Sequence, residues 1–297
     1  MRSSTLAIVA VLALLAGCGG PATHATADPA ASGAGQVPVG AASPALSTPV
    51  PSPPDPPSTR PAPATRPAPA HFTTLKPGAK LPSDAQCAAW VRSRPVKENK
   101  GVNRQYNQTT GQHVSASLFN GEPAAAVRAI APRIDGAFTG TTEEILRWAA
   151  CKWGIDEDIV KAQAAVESWW RQNTQGDQTT DATTCPPNHP VGSTGTCARS
   201  WGILQDGYFA ADWPGAERST AMNADVAYAF WRTCYEGYET WLNTVDRGAT
   251  YAKGDVWGCV GRWFAGRWHT TAAQGYIANV QSYEKQRIWQ TANFQQP

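Results

Sequence analysis

Asp156-Glu157-Asp158-Ile159-Val160-Lys161-Ala162-Gln163-Ala164-Ala165-Val166-Glu167-Ser168-Trp169-Trp170 is the stretch from which the chain is best read. Ile159, Val160, Gln163, Val166, Glu167 and Trp170 recur at the three- and four-residue spacing of one helix face, and Asp156 precedes them as an N-cap. Glu167 stands four residues after Gln163 and one after Val166. It therefore falls at the edge of the buried face, toward a cleft. A carboxyl in large apolar company is costly to ionise, so desolvation raises its pKa and can hold a proton near neutral pH. A general acid needs that state. A surface Glu near a helix end is the other reading of the same residue, and the rest of the chain decides between them.

Upstream, Thr141-Thr142-Glu143-Glu144 fits a capping box, with Ile145, Leu146, Trp148 and Ala149 behind it at helical spacing and Gly154 as the stop. Downstream, Gln172 to Arg199 is a polar loop carrying Gly176, Pro186, Pro187, Pro190 and Gly195. Ser200-Trp201-Gly202-Ile203-Leu204-Gln205 follows and leads into a turn at Trp213-Pro214. Ser219 caps a long helix over 221–236, Asp255 caps 256–264 ahead of Gly266, and 271 to about 292 forms the last helix. Ser83 caps a short helix from Asp84 to about Arg92. Residues 95–121 read as loop, and 122–130 as a helical turn or two. No segment alternates as a strand would, so the folded part, 83–297, is expected to be one mainly α domain.

The first 82 residues differ in kind. Leu6–Ala16 is an unbroken apolar run behind Arg2, too short to span a bilayer, and reads as a signal-peptide core over 1–17. Leu15-Ala16-Gly17-Cys18 resembles a bacterial lipobox; an ordinary secretory signal with an incidental Cys is the alternative. The lipobox implies diacylation of Cys18 and a stable membrane anchor. Residues 19–82 hold 16 of the 24 prolines and a single aromatic, Phe72. With cleavage before Cys18, 18–82 is expected to be a lipidated, disordered Pro/Ala/Thr/Ser-rich linker, reaching on the order of 100 Å where extended.

All 13 Trp and six of the seven Cys lie beyond this linker. An even Cys count in an exported chain implies disulfides. Six Cys allow 15 pairings; the spacing favours Cys185–Cys197 as a local clip and leaves the others open, Cys234–Cys259 and Cys87–Cys151 being the candidates carried forward. No CxxC or His/Cys spacing suggests a metal site, and no cofactor is expected. A net charge of +2 without a basic run gives nucleic-acid binding no support.

Three blocks in order resemble the soluble lytic transglycosylases and goose-type lysozymes of the lysozyme-like superfamily, over about Trp148 to Val280. They are Ala164-Ala165-Val166-Glu167-Ser168, then Ser200 to Gln205, then Trp263-Phe264-Ala265-Gly266 with the later Tyr276-Ile277. Asn223, early in the helix between the last two, is also family-like. The resemblance implies a lysozyme-like helical domain over 141–297 with a disulfide-stapled loop, the segment 83–140 being an N-terminal extension. It implies Glu167 as the acid that protonates the bond between N-acetylmuramic acid and N-acetylglucosamine and then acts as base. Ser200 and Gln205 would bind the sugar, Tyr276 would hold Glu167, and Ser168 would support it locally. Phe264 departs from the family's Asn, which puts that block's polar contact in doubt.

A retaining or inverting glycosidase normally needs two carboxyls. Asp177, Asp181 and Asp206 are the candidates for a second one. If one faces Glu167, a hydrolysing lysozyme or chitosanase-like enzyme becomes the alternative to a transglycosylase. A catalytically silent peptidoglycan-binding module is the alternative of another class. Trp169, Trp170, Trp201, Trp213 and Trp268 are candidates for stacking on sugar faces, with Trp201 and Trp213 preferred. The expected partner is peptidoglycan glycan. The chain is expected to be a monomer, exported and anchored through Cys18 to the outer face of a bacterial cytoplasmic membrane, or in the cell wall or periplasm.

Overall fold

A computed structural model of the chain describes residues 70–114, 123–185, 189, 191–207 and 215–295. The chain divides into two units, Met1–Pro63 and Ala64–Pro297, and every described residue lies in the second. The signal peptide, Cys18, most of the Pro/Ala-rich linker and Trp213 lie outside the described residues.

The described residues form a mainly helical body with eight α-helices: α1 (Asp84–Arg92), α2 (Arg104–Asn107), α3 (Ala124–Ile130), α4 (Thr142–Trp153), α5 (Glu157–Ser168), α6 (Thr220–Tyr235), α7 (Val256–Ala265) and α8 (Thr271–Gln286). The only sheet among them is a two-residue antiparallel pair, β1 (Gln175–Gly176) with β2 (Ser200–Trp201). No helix among the described residues is long and apolar enough to cross a membrane.

Local chemistry sets the helix ends where the sequence marked them. Thr141 Oγ1 accepts from Glu144 N at 3.3 Å and Glu144 Oε2 accepts from Thr141 N at 2.9 Å, a reciprocal capping box. Gly154 closes α4 in the left-handed conformation, φ +68°. Asp156 caps α5 through Asp158 N at 2.9 Å, Ser219 caps α6 through Met222 N at 3.1 Å, and Asp255 caps α7 through Gly258 N at 2.8 Å.

Helix α5 packs against α4 and α8; α4 also packs on α6, and α7 on α6 and α8. The shared core contains Ile145, Trp148, Trp153, Val160, Ala164, Trp170, Met222, Tyr228 and Val280, all essentially inaccessible to solvent. Three disulfides form: Cys87–Cys151 joins α1 to α4, Cys234–Cys259 joins α6 to α7, and Cys185–Cys197 clips the loop after β1.

Three boundaries differ from the sequence reading. The folded body starts before Ser83: Phe72 is buried against Trp90 (centroids 5.6 Å), and Leu75 N donates to Gly154 O at 3.0 Å. Phe72, with Leu75 and Leu81 packed on the core beside it, anchors this strap. The loop reading of 95–121 misses a 3₁₀ turn, Gly101–Asn103, and the short α2. The last helix stops at Gln286 instead of running to about 292. Arg287 takes φ +45°, and the chain reverses so that Trp289 and Phe294 point back into the core.

Candidate active site

Glu167 is the penultimate residue of α5 and is half-buried. Burial pushes its carboxyl up to about 8; the Tyr276 hydroxyl, which donates to Oε1, and the Trp263 indole pull the other way, while the nearby Asp177 charge raises it further. The acid therefore keeps its proton at neutral pH. Tyr276 lies on α8, is itself buried, and stands in a polar seam with Gln163 and Tyr228. Tyr228 donates to Val160 O at 3.2 Å and to Gln163 Oε1 at 3.4 Å. The Tyr276 hydroxyl and the Glu167 carboxyl are thus in direct contact across the α5–α8 packing.

The two tryptophans after Ser168 form a strained exit from α5. Trp169 and Trp170 both adopt left-handed backbone, φ +57° and +61°. Bulky residues avoid that region, and two in succession persist only where surrounding structure imposes them. Trp170 is fully buried beside Trp289 and Phe294; its indole N–H donates to Lys161 O at 2.8 Å and its carbonyl accepts from Asn103 Nδ2 at 2.6 Å. Asn103 Oδ1 also accepts from Gln172 N at 2.8 Å. Asn103 comes from the polar stretch that the sequence reading left as loop. Its only signal there is its residue type, an amide able to serve two backbone groups at once.

The Ser200–Gln205 block is tied to the end of α5 by buried side chains. Ser168 Oγ donates to Ile203 O at 2.9 Å and accepts from Arg171 N at 3.0 Å. Gln172 Oε1 accepts from Ile203 N at 3.0 Å. Asn223, on the first turn of α6, donates to Trp201 O at 2.9 Å and accepts from Leu204 N at 2.8 Å. Gly202 sits between these clamps at φ +84°, where an added Cβ would fall 2.4 Å from Asn223 Nδ2. Gly202→Ala is therefore expected to destabilise the fold by about 2 kcal/mol or more, from positive φ and overpacking together. A thermal melt reads this directly, and a Tm within a degree of wild type would disprove the clamp.

The block's side chains are placed unevenly. Ser200 is buried and donates to Gln205 Oε1 at 3.1 Å; Gln205 Nε2 donates to Gly202 O at 2.8 Å and Thr174 O at 3.3 Å. These two groups thus brace the turn, with Gln205, half-buried at φ +54°, the more accessible. Trp201 is not on the surface: its backbone pairs in β2 and its ring packs on Ala198, with His189 against it at 4.6 Å. Trp170 and Trp268 are likewise core residues, and Trp169 packs on Phe294 and Tyr283. Among the described residues, the exposed large aromatic is Phe264, lying flat on Tyr276. The sequence marked it only as a departure from a pattern.

The three candidate second carboxyls separate by environment. Asp181 is exposed and caps a 3₁₀ turn, bonding Thr183 N at 2.9 Å and Thr183 Oγ1 at 2.6 Å; those bonds lower its pKa. Asp206 is buried, neither of its carboxyl oxygens has a hydrogen-bond partner among the described residues, and burial pushes it well above the usual carboxylate range, with the Glu167 charge adding to the shift. Asp177 is exposed at φ +49°, and its charge acts on Glu167.

One further trio, His71, Asp156 and Asp158, brings three potential ligand atoms within 4.8 Å of one another at the other end of α5. His71 pairs with Asp156 at 3.0 Å and with Glu157 at 2.8 Å, and Asp158 pairs with Arg287 at 2.5 Å, so the cluster also joins the strap and the C-terminal turn to α5. No protein-family model matches this chain, and no curated protein or solved structure matches it.

Proposed function

We propose that this chain is a glycosidase of the lysozyme-like superfamily. In this reading it cleaves the β-1,4 bond between N-acetylmuramic acid and N-acetylglucosamine in peptidoglycan, as a lytic transglycosylase. The observation that carries the proposal is the Glu167 carboxyl, raised to about 8 by burial and held by the Tyr276 hydroxyl. A protonated carboxyl at a helix end beside a small β-pair suits an acid that must donate to a glycosidic oxygen. The motif blocks quoted above supply the substrate class.

In the proposed reaction Glu167 gives its proton to the departing sugar's oxygen as the C1–O bond breaks. The resulting carboxylate then takes the proton of the muramic C6 hydroxyl, and that oxygen bonds to C1 as a 1,6-anhydro ring. The proton returns to Glu167 and no water is consumed, so a single carboxyl suffices. Tyr276 orients the acid throughout. On this reading the chain works from a membrane anchor at Cys18, as a monomer, on the glycan of the cell wall.

Asp177 favours a second reading, hydrolysis by a lysozyme or chitosanase-like enzyme, because its charge acts on Glu167. Digestion of purified peptidoglycan followed by mass spectrometry separates the two. Anhydromuramic ends support transfer and reducing ends support hydrolysis. Intact glycan would sink both and leave a silent binding module. For transfer, Asp177→Asn is expected to preserve turnover and shift the alkaline limb of the pH profile to lower pH, since it removes a charge that raises Glu167. A hundredfold loss of turnover in that variant would instead make Asp177 a working second carboxylate.

A further inference from the structure

Phe264 is 57 % exposed, and Val102 is the only other exposed large hydrophobic side chain among the described residues. Position on the helix explains the exposure. Gly258, Cys259, Val260 and Gly261 of α7 are buried, and the helix ends in Trp263-Phe264-Ala265 before Gly266 turns the chain. Isolated exposed apolar residues are common and need no explanation. Phe264 is different because of what lies beneath it. Its ring is parallel to that of Tyr276, 3° between planes with centroids 4.9 Å apart, and the Tyr276 hydroxyl donates to Glu167 Oε1. The acid, the tyrosine and the exposed ring form one rigid stack, with one face of Phe264 against Tyr276.

We propose that Phe264 is a sugar-binding residue, the platform for the apolar C–H face of an N-acetylhexosamine ring next to the bond that Glu167 attacks. The inference rests on the glycosidase reading and deepens it by assigning a contact. A phenyl ring offers no hydrogen bond, so what rests on it must present an apolar face of similar size. A pyranose has such a face, with hydroxyls around its rim. Exposed polar residues stand close by in sequence: Arg267 follows Phe264 by three residues, and Asn279 follows Tyr276 by three on α8. Trp263, the neighbour in sequence, donates its indole N–H to Leu204 O at 3.1 Å while also acting on the Glu167 carboxyl, and so ties the end of α7 to the Ser200–Gln205 turn. The platform is thus fixed relative to the acid before any sugar arrives, which lowers the ordering cost of binding.

The test measures binding and needs no turnover. Full-length chain carrying Glu167→Gln is titrated calorimetrically with tetra-N-acetylchitotetraose, alone and with Phe264→Ala, Phe264→Leu or Phe264→Trp added. Each variant's thermal melt is recorded alongside. A stacking contact predicts about tenfold weaker binding for Ala and for Leu, and binding within about twofold of the parent for Trp. Equal affinity across the series would overturn the proposal. So would retention by Leu with loss by Ala, since that marks a ring that merely covers Tyr276. In active chain, Phe264→Ala should raise KM and leave the alkaline limb in place, whereas a cover role would move the limb. The fate of the glycosidase reading is decided separately, by the ends that wild-type protein produces from peptidoglycan.

Discussion

Glu167→Gln is expected to reduce cleavage of peptidoglycan by about a hundred- to ten-thousandfold, the usual contribution of a positioned general acid, with the fold intact. The amide carbonyl can still accept the Tyr276 hydroxyl bond, and side-chain volume is unchanged. Turnover is read from released muropeptides and the fold from circular dichroism; undiminished cleavage would remove Glu167 from the mechanism. The wild-type pH profile follows from the same group. The proton-bearing form is the active one, so turnover should hold across neutral pH and fall as pH rises through about 8.

The same substitution has a stability signature of known sign. The carboxyl titrates higher in the fold than in the unfolded chain, so the fold binds its proton more tightly. Its contribution is fully present below the unfolded value, about 4.3, and declines as pH rises toward the folded value of about 8. Over that window stability falls by up to about 1.4 kcal/mol per pH unit from this group alone. Denaturant titrations at several pH values should show the Gln variant gaining on wild type as pH rises. A constant difference would mean that the carboxyl is not desolvated.

Phe294→Ala should lower stability by about 3–5 kcal/mol, or on the order of 10 °C in Tm. Phe294 is fully buried although it stands three residues from the end of the chain. Its ring packs at 4.6 Å from Trp169 and 5.0 Å from Trp170, with the Lys100 ammonium 4.2 Å above it and bonded to its carbonyl. This cluster clamps the two left-handed tryptophans that follow Glu167 and Ser168. Turnover should therefore fall further than the unfolded fraction explains, measured below the melting range. Unchanged specific activity in the folded fraction would show that the strained turn holds its shape without the C-terminal plug.

Much of this arrangement is legible in the sequence where short-range chemistry decides it. Ser83, Thr141, Asp156, Ser219 and Asp255 cap the helices they precede, because a cap needs only its own side chain and the next three residues. Gly154 and Gly266 end helices for the same local reason. The Glu167–Tyr276 contact spans 109 residues; the sequence offers it only as something the family resemblance implies, since spacing says nothing at that range. Periodicity identifies a buried face without saying which residue across the core meets it, so Asn103 and Phe294 gave no comparable signal. Trp201 looked like a cleft residue because aromatic type alone cannot separate a wall from a core.

By itself the sequence determined the longer helices, their capped starts and glycine stops, the edge position of Glu167 and the even set of cysteines, all properties of neighbours along the chain. Tertiary structure alone decided how differently the three candidate carboxyls are surrounded. Asp177, Asp181 and Asp206 are the same residue type in one short region, yet one is exposed beside the acid, one is consumed by a cap, and one is buried without a hydrogen-bond partner. Ionisation depends on the water and charges around a group in space, and those are set by the packed fold.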